Sequence, residues 1–368
     1  MPDFSRKNCF PAALVAGIAL AGAAPVLAAV PLGGLTVAVS PKGDQLVAGG
    51  DNRVIYVLDP QTLEVKKRVA FPAPIVRMGF DAGGGMLGVS DNDGTLYLIE
   101  TGGWTTKATQ KNRHRASFSA AKGLVASTDT DYRSNTVSVT SLADGKDVFT
   151  VKLPAQMPVA AMGISPDGTR LAVMLGPNDD KSEPKVAYSD IPKDLKGQAR
   201  KLFELKNDGK TSLVQIYDIK TGKQVSEQKT YFTMNHSASL AVFIKDGLLF
   251  NEYSNNGVEI GADGEGRLVQ FSGSYLYGSG VSHDGKFVLG GSLRDFVITD
   301  TSTLSYKAGE PEKLGGVVKE IDKLPGYPEY FKGFDATAGG SAMYGATSAY
   351  RVVKFDSTGK IIKAAPVF

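Results

Sequence analysis

The feature that most constrains this fold is a strand–turn–strand unit that recurs along the chain. In its clearest copy, residues 281–303, a short strand enters a turn around Gly285, a second strand ends in a glycine pair, and a third strand ends at Asp300. Apolar and β-branched residues form the strands, while Gly, Asp and Ser mark the reversals. One copy cannot bury its own apolar face, so successive copies must pack against one another.

The turn glycines of successive units form a ladder with a nearly constant period. Their spacings are 41, 39, 45, 79, 38 and 54 residues. A period near 40 residues with strands throughout is typical of a β-propeller, in which each repeat is one four-stranded blade. The glycines are Gly43, Gly84, Gly123, Gly168, Gly247, Gly285 and Gly339.

Two spacings exceed the period, and both contain polar segments that lack the strand–turn–strand pattern. The longer interval contains residues 176–211, a charged segment in which we expect a helix over residues 198–205. The shorter interval contains a long connection over residues 308–329. We therefore predict an all-β fold, a seven-bladed antiparallel β-propeller over residues 29–368, with 176–211 inserted in the fourth blade and 308–329 preceding the seventh.

The third strand of most units ends in an aspartate that is followed by a polar turn. An aspartate in this position typically accepts hydrogen bonds from the backbone of its own turn, so we interpret these residues as structural. They are Asp59, Asp218, Asp300 and Asp356.

Two stretches carry a resemblance to known propellers, Ser-Pro-Asp-Gly-Thr-Arg-Leu-Ala-Val at 165–173 and Ile-Tyr-Asp-Ile-Lys-Thr-Gly-Lys at 216–223. Over residues 34–368 the chain resembles the YVTN/WD40-like β-propeller superfamily. The run Gly-Gly-Ser-Leu-Arg-Asp at 290–295 and the long insertion make it similar to the propeller chains of periplasmic amine dehydrogenases, above all the β chain of quinohemoprotein amine dehydrogenase. That resemblance implies a scaffold beside a catalytic subunit.

The N-terminal segment has the order of a secretory signal peptide. Basic residues Arg6 and Lys7 precede an apolar run over residues 10–26, and small residues follow at Ala28 and Ala29. We predict a signal peptide over residues 1–28, with no membrane span after its removal. The single cysteine, Cys9, would leave with it, so disulfides, thiolate chemistry and cysteine-linked haem are not expected. An exported chain without disulfides fits a periplasmic location.

The sequence contains no pattern that indicates a catalytic residue, a cofactor or a metal ion. Its three histidines are His114, His236 and His283, too few and too scattered for an obvious metal site, and we interpret His283 as a turn residue. The net charge is +3 with acids and bases interspersed, so a nucleic-acid partner is not expected.

One face of a propeller carries both the connections into the innermost strands and the loops between second and third strands. We call this face the mouth. Arginine and tyrosine are common at the mouth in this sequence, and both residue types bind anions or form interface hot spots. The alternative is a set of ordinary polar loops around a solvated channel. The candidate ligand-binding residues are Arg77, Arg113, His114, Arg115, Arg133, His236, Tyr253, Tyr275, Tyr277, Arg294, Tyr330, Lys332 and Arg351.

These observations favour an exported, periplasmic protein that acts without catalysis in binding or assembly. Its mouth would engage a periplasmic protein partner or a small anionic ligand. The insertion at 176–211 would serve as a docking arm or, alternatively, as a solvated loop with a marginal helix. Two other functions stay open: the propeller subunit of a periplasmic amine or alcohol oxidoreductase, and a structural protein of the cell envelope.

Overall fold

The fold is taken from a computed structural model that describes most of the chain after residue 32. The described residues are 33–131, 133–153, 158–176, 183–231, 239–244, 247–250, 256–261, 266–270, 278–291, 295–303, 312–313, 317–320 and 329–367. Within these ranges, no helix combines the length and apolar character that crossing a bilayer requires. The predicted signal peptide lies outside the described residues, as do residues 308–311, 314–316 and 321–328 of the predicted connection.

The first three sheets are four-stranded antiparallel meanders, in which each strand pairs with the next along the chain. The alternating and β-branched apolar patterns of the sequence supply their buried faces. The first contains β1 (Leu35–Val39), β2 (Leu46–Gly50), β3 (Val54–Leu58) and β4 (Val65–Ala70). The second contains β5 (Ile75–Phe80), β6 (Met86–Asp91), β7 (Leu96–Glu100) and β8 (Thr105–Gln110). The third contains β9 (His114–Ser119), β10 (Leu124–Thr128), β11 (Thr136–Ser141) and β12 (Asp147–Lys152).

Two more meanders follow, and they share one nine-stranded sheet of order β16-β15-β14-β13-β17-β18-β19-β20-β24. The first contributes β13 (Val159–Ile164), β14 (Arg170–Leu175), β15 (Ser212–Asp218) and β16 (Gln224–Thr230). The second contributes β17 (Ser239–Ile244), β18 (Gly247–Phe250), β19 (Asn256–Gly261) and β20 (Gly266–Gln270), and β24 (Glu312–Lys313) pairs in parallel with β20.

The last two sheets are four-stranded, with orders β21-β22-β23-β25 and β26-β27-β28-β29. Both β24 and β25 lie in the segment predicted as a long connection, so that segment supplies the outer strand of the β21–β25 sheet. The strands are β21 (Gly278–Val281), β22 (Phe287–Gly291), β23 (Asp295–Asp300), β25 (Val317–Glu320), β26 (Phe331–Ala336), β27 (Met343–Thr347), β28 (Arg351–Phe355) and β29 (Ile361–Pro366).

The described strands thus form six hydrogen-bonded sheets, one fewer than the seven blades predicted. Two parallel pairs, Ala161 with Ser239 and Met162 with Leu240, join β13 to β17. Gly163 permits this close approach, because a Cβ at that position would lie 1.8 Å from the carbonyl oxygen of Ala241. A missing side chain therefore merges two sheets that the repeat pattern alone would keep apart.

The first strands of the meanders contact one another in chain order. The contacts run from β1 through β5, β9, β13, β17 and β21 to β26, and β26 in turn contacts β1. This closed series of antiparallel sheets is an all-β propeller.

The ring closes through side chains, since the described strands of both terminal sheets are consecutive in sequence. The hydroxyl of buried Tyr344 donates to the carbonyl of Pro60 at 2.9 Å, and Nζ of Lys354 donates to the same oxygen at 3.0 Å. An apolar cluster that joins residues of both sheets surrounds these contacts, including Leu35, Val37, Leu58, Tyr350 and Val352. Hydrophobic burial and shared acceptors therefore replace strand exchange at the joint.

The described part of the insertion between β14 and β15, residues 183–211, is folded. Its helix α1 spans Gly197–Asp208, which confirms and extends the helix expected over residues 198–205. Leu202 and Leu205 pack against the apolar cluster between the neighbouring meanders. The Asn207 side chain bonds both backbone groups of Val186 at 2.8 Å, so the helix is tied at its C-terminal end to the irregular segment before it.

The turn aspartates behave as the sequence predicts. Asp59 accepts the backbone N–H groups of Gln61 and Thr62, both at 2.8 Å. Asp218, Asp300 and Asp356 accept equivalent bonds from their own turns. These carboxylates stabilise the turns and do not form a binding site.

Candidate functional site

The end of the ring opposite the mouth is occupied by the turns between first and second strands. The Gln45 amide donates to the carbonyl of Gly84 at 3.0 Å, and the Gly339 N–H donates to Asp284 at 2.7 Å. Several turn glycines approach the neighbouring turn so closely that a Cβ would meet it; these are Gly123, Gly168 and Gly285. Because the described turns pack on one another there, the mouth is the better candidate entrance for a ligand.

Arg77 and Arg115 are the predicted site residues that the structure brings together. They lie on β5 and β9, first strands of adjacent sheets that contact each other. Burial lowers the pKa of Arg77, and the positive charge of Arg115 lowers it further. The two guanidinium groups are therefore close enough for their charges to interact.

The backbone near both arginines is irregular. The pairing of β5 with β6 shifts register between Ile75 and Arg77. Arg115 has a φ of 53°, a left-handed conformation that is unusual for a residue other than glycine. Its Nε lies 3.8 Å from Oδ1 of Asp131, whose side chain is 80% exposed. The carboxylate of Asp131 is thus a loose, solvated neighbour of the arginine.

Arg113 makes an ordered contact within the scaffold. One of its terminal nitrogens donates to both carboxylate oxygens of Asp147 at 2.9 and 2.8 Å, and Nε donates to Gln110 at 3.1 Å. Asp147 begins the outer strand β12, so Arg113 links two adjacent sheets. The structure engages Arg113 with Asp147 rather than placing it beside Arg77.

The remaining described candidates are dispersed. The ring of His114 lies against Gly94, where a Cβ would fall 2.2 Å from it. Arg133 is exposed and bridges the backbone of Pro158. Lys332 is exposed on β26, with its Nζ 5.5 Å from the ring centroid of Tyr330.

Arg351 is bound to an acid that the sequence reasoning missed. Its Nε donates to Oε1 of Glu329 at 2.8 Å, and a terminal nitrogen donates to Oε2. The Glu329 side chain is only 2% exposed. No local pattern marks Glu329, because it precedes β26 and its partner begins β28. This pair neutralises the charge of Arg351 at the mouth.

A second mouth contact joins the terminal sheets. Tyr350 donates its hydroxyl to Oδ1 of Asp51, and the same oxygen accepts the Gly34 N–H at 3.1 Å. Burial and the charge of Asp51 raise the pKa of Tyr350. The tyrosine therefore stays protonated as a hydrogen-bond donor at neutral pH.

Five predicted site residues, His236, Tyr253, Tyr275, Tyr277 and Arg294, lie outside the described residues. In the part of the chain that the structure covers, no three His, Cys, Asp or Glu side chains are grouped to hold a metal ion.

Comparison with known proteins supports the fold. No family model matches the sequence. No curated protein sequence matches it either. Among solved structures, hydrazine synthase of Kuenenia stuttgartiensis superposes with a TM-score of 0.55 over 90% of this chain and 96% of that chain, at 14% sequence identity. At this identity the likeness shows the fold alone. Together with the closed series of antiparallel sheets, this likeness supports an all-β propeller fold.

Proposed function

We propose that this chain is an exported, periplasmic β-propeller that binds an anionic group at its mouth without catalysis. The group would belong to a small ligand or to an acidic segment of a protein partner. The observation that carries the proposal is the juxtaposition of Arg77 and Arg115 on adjacent first strands.

Two adjacent guanidinium groups favour an anion for an electrostatic reason. Arg77 loses solvation and feels the positive charge of Arg115, so a negative ligand near both would lower the cost of burying that charge. Guanidinium groups also match the planar geometry of carboxylates and the oxygens of phosphates. Asp131 contributes little competition, since its exposed carboxylate is screened by water at 3.8 Å from Arg115.

Calorimetric titration of the mature chain with sulfate, phosphate and citrate tests the anion site. The double variant Arg77→Ala/Arg115→Ala should weaken binding of whichever probe binds by about tenfold or more, the loss expected for charge-assisted contacts. Arg170→Ala is the matched control, because Arg170 is exposed at the start of β14, at the end of the sheet away from the mouth. Equal affinity in the double variant and the wild type would refute the proposed site.

Partner binding is tested separately by affinity capture from a periplasmic extract. A partner that uses the mouth should be captured by the wild type and by Arg170→Ala, and lost with the double variant. Capture that survives in the double variant would place the partner elsewhere on the chain.

The proposed export to the periplasm and the proposed lack of catalysis are each tested separately. Deleting residues 1–28 should retain the protein in the cytoplasm, as a cell-fractionation blot would show. The purified protein should lack visible absorbance; a bound chromophore would instead support the alternative, a propeller subunit of a periplasmic oxidoreductase.

We further propose that the nine-stranded sheet counts as two blades, which makes seven. Two facts support this count: the sheet contains two complete meanders, and only two parallel residue pairs join them. An experimental structure with a single continuous blade over β13–β20 would contradict it.

A further inference from the structure

His283 occupies a buried position at the joint between the last two sheets. It lies in the turn between β21 and β22, and its side chain is only 4% exposed. Its Nε2 lies 3.2 Å from Oδ1 of Asp335, near the end of β26. The ring N–H does not point squarely at that oxygen, so charge attraction holds the contact rather than an aligned hydrogen bond.

Asp335 connects His283 to the first sheet of the ring. Its Oδ2 accepts the backbone N–H of Val39 on β1 at 2.8 Å, although the two residues are 296 positions apart. Its other oxygen faces His283 and accepts the Ala336 N–H at 2.9 Å. One carboxylate therefore touches the β21–β25 sheet and both terminal sheets.

Backbone contacts reinforce the same joint. The His283 N–H donates to the carbonyl of Ala336 at 3.0 Å. The neighbouring Asp284 accepts the Gly339 N–H at 2.7 Å. Since these bonds fix the turn beside β26, the imidazole ring has little room to leave the carboxylate.

We propose that His283 and Asp335 form a pH-sensitive clasp, which holds the β21–β25 sheet to the terminal sheets while His283 is protonated and loosens when it loses its proton. The clasp lies at the opposite end of the strands from the anion site. It therefore does not depend on the proposed function.

The charged groups around the ring set the direction of this response. Burial lowers the pKa of His283, but the charge of Asp335, the contact of its carboxylate with the ring and the charge of Asp284 together raise that pKa above the ordinary 6.5. From β1 and the short helix at 338–340, the described contacts with this site are backbone N–H groups. Because the folded pKa is raised, the stabilisation is complete below pH 6.5 and disappears as the pH rises through the folded pKa.

Urea unfolding of the mature chain between about pH 6 and pH 9 measures the clasp. As the pH rises, the folded-to-unfolded ratio of the wild type should fall relative to that of His283→Gln. The total fall should be about tenfold for each pH unit by which the folded-state pKa of His283 exceeds 6.5. His114→Gln is the matched control, since its ring lies against Gly94. A wild-type advantage that stays constant with pH would overturn the proposal.

Nuclear magnetic resonance titration of the wild type covers the case in which His283→Gln does not fold. With three histidines in the chain, His114→Gln and His236→Gln assign the His283 signals by elimination. The expected midpoint lies above 6.5, and the amide of Val39 should shift with the same midpoint because it donates to Asp335. A midpoint at or below 6.5, or a Val39 amide that does not respond, would overturn the clasp.

Discussion

Replacing Arg351 with Met should destabilise this protein more than replacing an exposed arginine would. The two side chains of the pair are 14% exposed for Arg351 and 2% for Glu329. Met retains much of the aliphatic stem but removes both donors, so the Glu329 carboxylate would stay buried without its cation. Leaving one charge of a buried pair uncompensated costs about 3–5 kcal/mol.

A second ion pair in the same chain supplies the matched control. Arg200 donates to Glu204 at 2.8 Å on α1, but these side chains are 43% and 33% exposed. Water solvates both partners whether or not they pair, so Arg200→Met should cost about 0.3–0.5 kcal/mol. Residue types and substitution are the same, so the contrast compares a buried pair with two hydrogen bonds to an exposed pair with one.

Urea unfolding at neutral pH measures both variants against the wild type. The double variant Glu329→Gln/Arg351→Met should be more stable than Arg351→Met alone, since no buried charge remains. The reasoning is refuted if Arg351→Met costs no more than Arg200→Met, or if the double variant recovers nothing.

Two further predictions concern the sheets and the turns. Gly163→Ala would place a methyl group 1.8 Å from the Ala241 carbonyl oxygen, so thermal unfolding should show that the free energy of unfolding falls by several kcal/mol. Gly85→Ala is the control: its Cβ would meet open space, so the free energy of unfolding should stay within about 0.5 kcal/mol of the wild type. Hydrogen bonds to backbone and side-chain donors lower the pKa of Asp218 and Asp356 below 3.8, so their stabilisation is present above that pH and lost as the pH falls through the folded values. Circular dichroism during acid titration should show shallower acid unfolding in an Asp218→Asn/Asp356→Asn variant; an unchanged profile would exclude the turns as a source of acid sensitivity.

Local chemistry explains why much of the fold was predictable. Turn glycines at a regular period are needed where the backbone adopts positive φ, as Gly43 and Gly168 do at 72°. Aspartates at strand ends cap their own turns, and the charged helix of the insertion has a helical composition. Each of these features depends on residues that are close in sequence, so a short stretch of sequence contains all the residues that interact.

The candidate site was predictable only in part, because residue type does not reveal the partner. The sequence alone does not distinguish the arginines of the predicted site, which include Arg77, Arg113, Arg115 and Arg351. In the fold, Arg113 meets Asp147 and Arg351 meets Glu329, while Arg77 and Arg115 come together. Which groups each arginine meets depends on sheet packing.

By itself, the sequence determined the strand repeat, its turn chemistry and a propeller built from antiparallel meanders, since all three arise from contacts within about 40 residues. Tertiary structure alone decided that Gly163 merges two meanders, that the described strands of the terminal sheets join without exchange, and that Asp335 bonds Val39 across 296 positions. Ring closure creates these contacts by bringing distant residues within hydrogen-bond distance, and no periodic pattern along the chain records that proximity.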